Sequence, residues 1–199
     1  MKLYEILYRE ITTDFMNGIN RFTQKDLSER LHISISNVNK AIKRLEEINS
    51  VVISRRSFRI IAFDRILLYW ATHRKLYNDI IYESFSNMNV IDTENSLPNG
   101  IAFTAYSGYK KLYNDVPADY DEVFVYAIPE AIEDIKIRFP KHNKYSNLFI
   151  LKADYLLYQK IIQNKQNVVP ASNVFVDLWN IRTWYAKEFA DVLLKKLTA

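Results

Sequence analysis

Phe22-Thr23-Gln24-Lys25-Asp26-Leu27-Ser28-Glu29-Arg30-Leu31-His32-Ile33-Ser34-Ile35-Ser36-Asn37-Val38-Asn39-Lys40-Ala41-Ile42-Lys43-Arg44-Leu45-Glu46-Glu47 is the stretch whose reading decides the fold. Thr23 offers a hydroxyl at a helix N-cap and Asp26 an acid three residues on, close to the capping-box pattern, while Leu27 and Leu31 share one face. A short helix is predicted over 24–31. His32-Ile33-Ser34 then makes a turn, and Ser34 caps a further helix from Ile35 to Glu47. Val38, Ala41, Ile42 and Leu45 recur at three- and four-residue steps and form its buried stripe. The opposite face displays Ser36, Asn37, Asn39, Lys40, Lys43 and Arg44, nearly all able to donate to phosphates or base edges.

The flanks agree with this reading. Leu3, Ile6, Leu7, Ile11 and Phe15 lie on one face of a preceding helix, which Asn17-Gly18 closes. Val51-Val52-Ile53 and Phe58-Arg59-Ile60-Ile61 bracket Ser54-Arg55-Arg56-Ser57, a hairpin with a basic tip. Three helices followed by such a hairpin describe a winged helix-turn-helix. Residues 1–75 hold 14 Lys and Arg against 8 Asp and Glu, whereas residues 76–199 hold 13 against 15, so the basic excess of this +4 chain lies in its N-terminal part. That asymmetry fits a polyanion-binding module joined to something else, or a solvated basic face.

Composition excludes several classes. The chain lacks cysteine, which removes disulfides, Cys-ligated zinc and thiol chemistry. His32, His73 and His142 lie far apart, and the three glycines, Gly18, Gly100 and Gly108, are too few for a phosphate-cradling loop or a dinucleotide fingerprint. No metal, no cofactor and no catalytic residue are expected. The longest apolar stretch, Ile60 to Ala71, is broken by Asp64 and Arg65, and the N-terminus lacks a signal-like apolar block. A cytoplasmic protein without membrane association is the expectation.

Beyond the hairpin, Leu67, Leu68, Ala71, Leu76, Ile80 and Ile81 continue a helical period over 65–82, a segment suited to joining two halves or pairing two subunits. Residues 84–100 are polar and read as loop around a brief strand at Val90-Ile91. Val123 to Ala127 and Leu148 to Leu151 are compact strand signals, separated by an amphipathic helix with Pro129 at its first position. Strand, helix, strand favours a right-handed crossover in a small α/β domain. Ser172 and Thr183 are N-cap candidates for the last two helices. The expected fold is therefore α+β: a winged helix over 1–64, a connecting or dimerisation helix over 65–82 and an α/β C-terminal domain over 83–199.

The residues from Arg21 to Phe63 resemble the winged-helix regulators of the MarR and ArsR type in caps, turn length, apolar register and wing. Ser28 stands where a small Ala is usual and His32 where a turn Gly is frequent, which places His32 in a left-handed conformation. The resemblance implies sequence-specific regulation of transcription through double-stranded DNA. Ser36, Asn37, Asn39 and Lys40 would meet base edges, and Lys43 and Arg44 would grip phosphate. Arg55 and Arg56 would reach the minor groove or phosphate from the wing tip, while Thr23, Gln24 and Ser34 would add contacts beside their capping roles. Such regulators often pair as homodimers, and helix one or the 65–82 segment would supply the contact; any small-molecule effector is unknown.

Ile101 to Lys110, Ala118 to Tyr126 and Val174 to Trp179 before a closing amphipathic helix resemble the C-terminal part of AbiEi-type antitoxin regulators. In that family the protein represses its own operon and counteracts a nucleotidyltransferase toxin of a type IV toxin-antitoxin system. Two other readings stand beside it. Tyr106, Tyr109, Tyr113, Tyr120, Tyr126, Trp179 and Trp184 either line a ligand-sensing pocket or fill a core, with core the expectation. Asp119 and Asp121, eleven residues after Gly108, mimic the carboxylate pair of a degenerate nucleotidyltransferase. The order Ser107-Gly108 is reversed for such an enzyme and Glu122 replaces an apolar strand residue, so a surface turn and no enzymatic activity are expected.

Overall fold

The computed structural model describes residues 1–143 and 145–199. Helix α1 (Leu3–Met16) ends at Asn17 and Gly18, whose φ of 88° is the left-handed geometry a glycine adopts without strain. Strand β1 (Arg21–Phe22), α2 (Gln24–Leu31), α3 (Ile35–Glu47) and the hairpin β2 (Val51–Ile53) and β3 (Phe58–Ile60) follow. The three strands pair antiparallel in the order β1-β3-β2. Leu27, Leu31, Val38, Ile42 and Leu45 are fully buried with Phe58 and Ile60 beneath this sheet. Each such burial contributes about 2 kcal/mol.

Helix α4 (Phe63–His73) stops nine residues short of the continuous helix expected over 65–82. Arg74 turns extended (φ −68°, ψ 137°), a 3-10 turn spans Leu76–Asp79, and β4 (Ile80–Ser84) begins. Ile80 pairs with Leu151 of the neighbouring strand, Ile81 falls at a register shift before Tyr82, and the Arg74 side chain is drawn inward by buried carboxylates. A second correction concerns 84–100. Val90-Ile91 opens helix α5 (Val90–Ser96) instead of forming a strand, because the Asn89 side chain accepts from the Asp92 amide as an N-cap.

The second sheet contains β4, β5 (Ile101–Thr104), β6 (Val123–Ala127) and β7 (Leu148–Lys152) in the order β4-β7-β6-β5. β6 and β7 pair in parallel across helix α7 (Pro129–Arg138), the crossover the sequence indicates, and the outer pairs are antiparallel. Helices α6 (Ala105–Tyr113), α8 (Tyr155–Asn164), α9 (Ala171–Trp179) and α10 (Trp184–Thr198) complete the chain. The expected caps of the last two shift: Pro170 precedes α9, and the hydroxyl of Ser172, buried inside it, lies 2.9 Å from that of Thr12. Thr183 sits at the N-cap of α10, but its hydroxyl meets the Tyr106 phenol at 2.5 Å instead of a backbone amide.

Helix α9 packs against α1, α4, α6 and α10 and so joins the winged helix to the C-terminal layers. Two buried ionic clusters reinforce that junction. Arg9 of α1 forks onto Asp154 at 2.6 and 2.9 Å and donates to Glu10, whose carboxylate also receives Lys160. Burial opposes ionisation of Asp154, yet the Arg9 guanidinium holds its carboxyl below the usual range. Residues 5–12 of α1 are all buried and the apolar face of α4 is covered within the chain. In the two segments that the sequence offered for a dimer contact, the large apolar side chains that stay exposed are Leu3 and Met16 of α1 and Ile81 beyond α4.

Candidate nucleic-acid interface

The turn between α2 and α3 is built by Ser28 and His32. The Ser28 hydroxyl donates to the Ile33 carbonyl at 2.7 Å, and the Ile33 amide returns to the Ser28 carbonyl. His32 adopts φ 50°, ψ 37°, the left-handed conformation expected of it. Thr23 accepts from the Asp26 amide and Ser34 from the Asn37 amide, so both hydroxyls cap their helices. The Tyr8 phenol donates to the Ala41 carbonyl at 3.1 Å and fixes α3 against α1.

This frame sets which groups stay free. Ser36, Asn37, Lys40, Lys43 and Arg44 are exposed along α3, and among the described residues none pairs with a carboxylate. Arg44 lies over the Tyr4 ring, 5.8 Å from its centroid, which holds its cationic head near the C-terminal part of the helix. Asn39 is partly buried and donates to the Gln24 side chain at 3.0 Å, so these two expected contact residues meet each other first. Arg55 and Arg56 are exposed at the hairpin tip, closed by the Ser54 amide bond to the Ser57 carbonyl at 2.7 Å.

Sequence reading missed Ile35, which is 55% exposed at the first turn of α3, where an apolar side chain suits contact with a thymine methyl. Its position off the Val38-Ala41-Ile42-Leu45 stripe was the available signal. Arg21 and Arg59 were missed as well, although the alternation Arg21-Phe22 and Phe58-Arg59-Ile60 marks both as outward-facing.

The features that suggested an enzyme fall in different surroundings. Ser107 is fully buried within α6, and a Cβ on Gly108 would meet Val174 at 3.0 Å, so this glycine serves helix packing. Asp119 and Asp121 are exposed in the segment before β6. Among the described residues, no group of three or more His, Cys, Asp or Glu could hold a metal ion. Of the aromatic set, Tyr106, Tyr109 and Tyr126 are fully buried core, whereas Trp179 and Trp184 are exposed.

Glu122 beside that turn is partly buried with Oε2 lacking a hydrogen-bond partner among the described residues. Burial, and then the neighbouring Asp121 carboxylate, push its carboxyl up to about 7. The unfolded chain releases this proton near pH 4.3, so the folded state holds a proton that the unfolded state lacks across the window between about 4.3 and 7, and stability is lost as pH rises through it. Glu122→Gln is neutral throughout. It is expected to match the wild type at pH 4 and to exceed it at pH 8 by about 1 kcal/mol after solvent screening, or about 2–4 °C in Tm. Equal Tm values at pH 8 would contradict this.

No helix among the described residues is long and apolar enough to cross a membrane. Neither the curated proteins nor the solved structures contain a match to this chain. Residues 20–49, which run from the residue before β1 to two residues past α3, match the family described as winged helix-turn-helix DNA-binding. The N-terminal part of the chain has a winged helix-turn-helix fold, as its turn, caps and wing indicate, and its residues 20–49 are similar to DNA-binding modules of that type.

Proposed function

We propose that this protein is a non-enzymatic, sequence-specific regulator of transcription that reads double-stranded DNA. The observation that carries the reading is the face of α3: Ile35, Ser36, Asn37, Lys40, Lys43 and Arg44 stand exposed with no carboxylate partner among the described residues, beside a wing tipped by Arg55 and Arg56. Asn37 and Lys40, near the N-terminal end of α3, offer the amide and ammonium that adenine and guanine edges accept. Lys43 and Arg44 lie further along and position the helix on phosphate. Asn39 and Gln24 act as a pair, with the Asn39 amide group committed to Gln24 and the remaining Gln24 amide hydrogens directed to DNA.

Selection of binding sites from random duplexes tests this. Lys40→Ala is expected to cost about 1–3 kcal/mol on the selected site and to relax preference at one base position, whereas Lys43→Ala weakens selected and scrambled duplexes alike. Failure to enrich any sequence would overturn specific recognition.

For the C-terminal domain, the resemblance to AbiEi-type antitoxin regulators supports a role in which the protein represses its own operon. The buried Arg9–Asp154 ion pair that ties α1 to the start of α8 supports a shared regulatory task for both parts. Rescue of growth when this protein is co-expressed with a nucleotidyltransferase encoded beside it tests the antitoxin role, and growth arrest undiminished by co-expression would contradict it.

A further inference from the structure

The sheet of the winged helix has two faces of opposite character. Phe22, Val51, Phe58 and Ile60 are buried beneath it, whereas Arg21, Val52 and Arg59 stand exposed on the outside. The register sets Arg21 directly across from Arg59, and Val52 across from Arg59 on the other side. Directly opposed residues on one face have Cβ atoms about 5 Å apart, and like charges so placed destabilise a sheet. Among the described residues neither arginine forms an ion pair. Folding alone gains nothing from this pair.

The surroundings show what an occupant would be. The Arg21 Nε donates to the Ser57 hydroxyl at 3.0 Å, which orients that guanidinium and leaves its terminal nitrogens without a partner among the described residues. Asn20, Arg21, Ser54, Ser57, Phe58 and Arg59 wall a concavity of about 310 Å³. Two planar guanidinium forks and polar side chains around a small hollow match the donor demand of a tetrahedral oxyanion. The hollow also lies on the hairpin that carries Arg55 and Arg56 at its tip. The hairpin therefore carries basic side chains both at its tip and on its outer sheet face.

We propose that this concavity seats one phosphodiester of the DNA backbone, bridged by Arg21 and Arg59, as a contact distinct from the recognition helix and the wing tip. This rests on the DNA-binding reading above. The seat fixes the angle at which the wing meets the duplex, since it anchors the sheet itself and not only its tip.

The test uses the full chain, its selected duplex and a scrambled duplex, with Arg21→Gln, Arg59→Gln and the double variant measured over a salt series. Each single variant is expected to weaken both duplexes by about tenfold, and the double to lose little more, because the two arginines share one phosphate. The slope of log K against log salt falls by about one unit in the double variant. Without DNA, Arg59→Gln is expected to unfold at the same denaturant concentration as the wild type or a higher one, so lost binding cannot be lost folding. Unchanged affinity in the double variant, while Arg55→Ala with Arg56→Ala still weakens binding, would overturn the seat and leave DNA binding intact. A slope change of about two units would assign separate phosphates and overturn the shared one. Absence of duplex binding by the wild type would remove both readings together.

Discussion

Arg74→Met is expected to destabilise the protein by about 3–5 kcal/mol, read as a fall in the urea midpoint at unchanged slope. Arg74 is buried where the end of α4 meets α1, β6 and α9. Its Nε donates to Asp177 at 3.2 Å and its Nη2 to the Tyr126 phenol at 3.0 Å, while Nη1 pairs with Asp79 and lies 3.6 Å from Glu5. Asp177 also accepts from Thr104 at 2.7 Å, Tyr126 at 2.9 Å and Asn173 at 2.8 Å. Burial pushes the Asp177 carboxyl upward and the Arg74 guanidinium pulls it back, so the charge of one is tolerated only beside the other. A methionine leaves two buried carboxylates, Glu5 and Asp177, without their cation. Adding Asp177→Leu to Arg74→Met is therefore expected to recover part of the loss, with a coupling of about 1–3 kcal/mol in the double-mutant cycle. A loss below about 1 kcal/mol for Arg74→Met would contradict this account of the junction.

The second large effect is on binding. Arg55→Ala with Arg56→Ala is expected to weaken every duplex by about 10²-fold at low salt and to lower the salt slope by about two units, as each arginine releases one counterion site. Neither side chain touches another described residue through an ion pair or side-chain hydrogen bond, so folding should be unaffected and the denaturant midpoint unchanged. The loss should be equal for selected and scrambled duplexes, because guanidinium contacts to phosphate carry no base information. Unchanged affinity would show that the tip faces solvent in the complex.

The winged helix was legible in the sequence because local signals coincide. Thr23, Ser34, the Val38-Ala41-Ile42-Leu45 stripe and the Ser54-Ser57 tip each point to one arrangement, and α2, α3, β2 and β3 appear at the expected residues. The region after α4 was less legible. Leu76, Ile80 and Ile81 extend a helical period by chance, but the pull on Arg74 comes from Asp177, 103 residues away, and no local pattern reports it. Asn89-Val90-Ile91-Asp92 carried a readable cap signal, masked by the β-branched pair within it. At the interface, exposure could be read from periodicity, whereas the Asn39 to Gln24 bond and the Arg21 to Arg59 pairing depend on how helices and strands meet.

The central claim is that α3 and the wing read duplex DNA. Binding-site selection with this 199-residue chain, followed by anisotropy titration of the enriched duplex against a scrambled one, tests it most directly. The account predicts one enriched sequence, bound at least about 10³-fold more tightly than the scrambled duplex, with affinity falling linearly in log salt. Equal affinity for both duplexes would contradict sequence recognition, and binding to neither would contradict the claim itself.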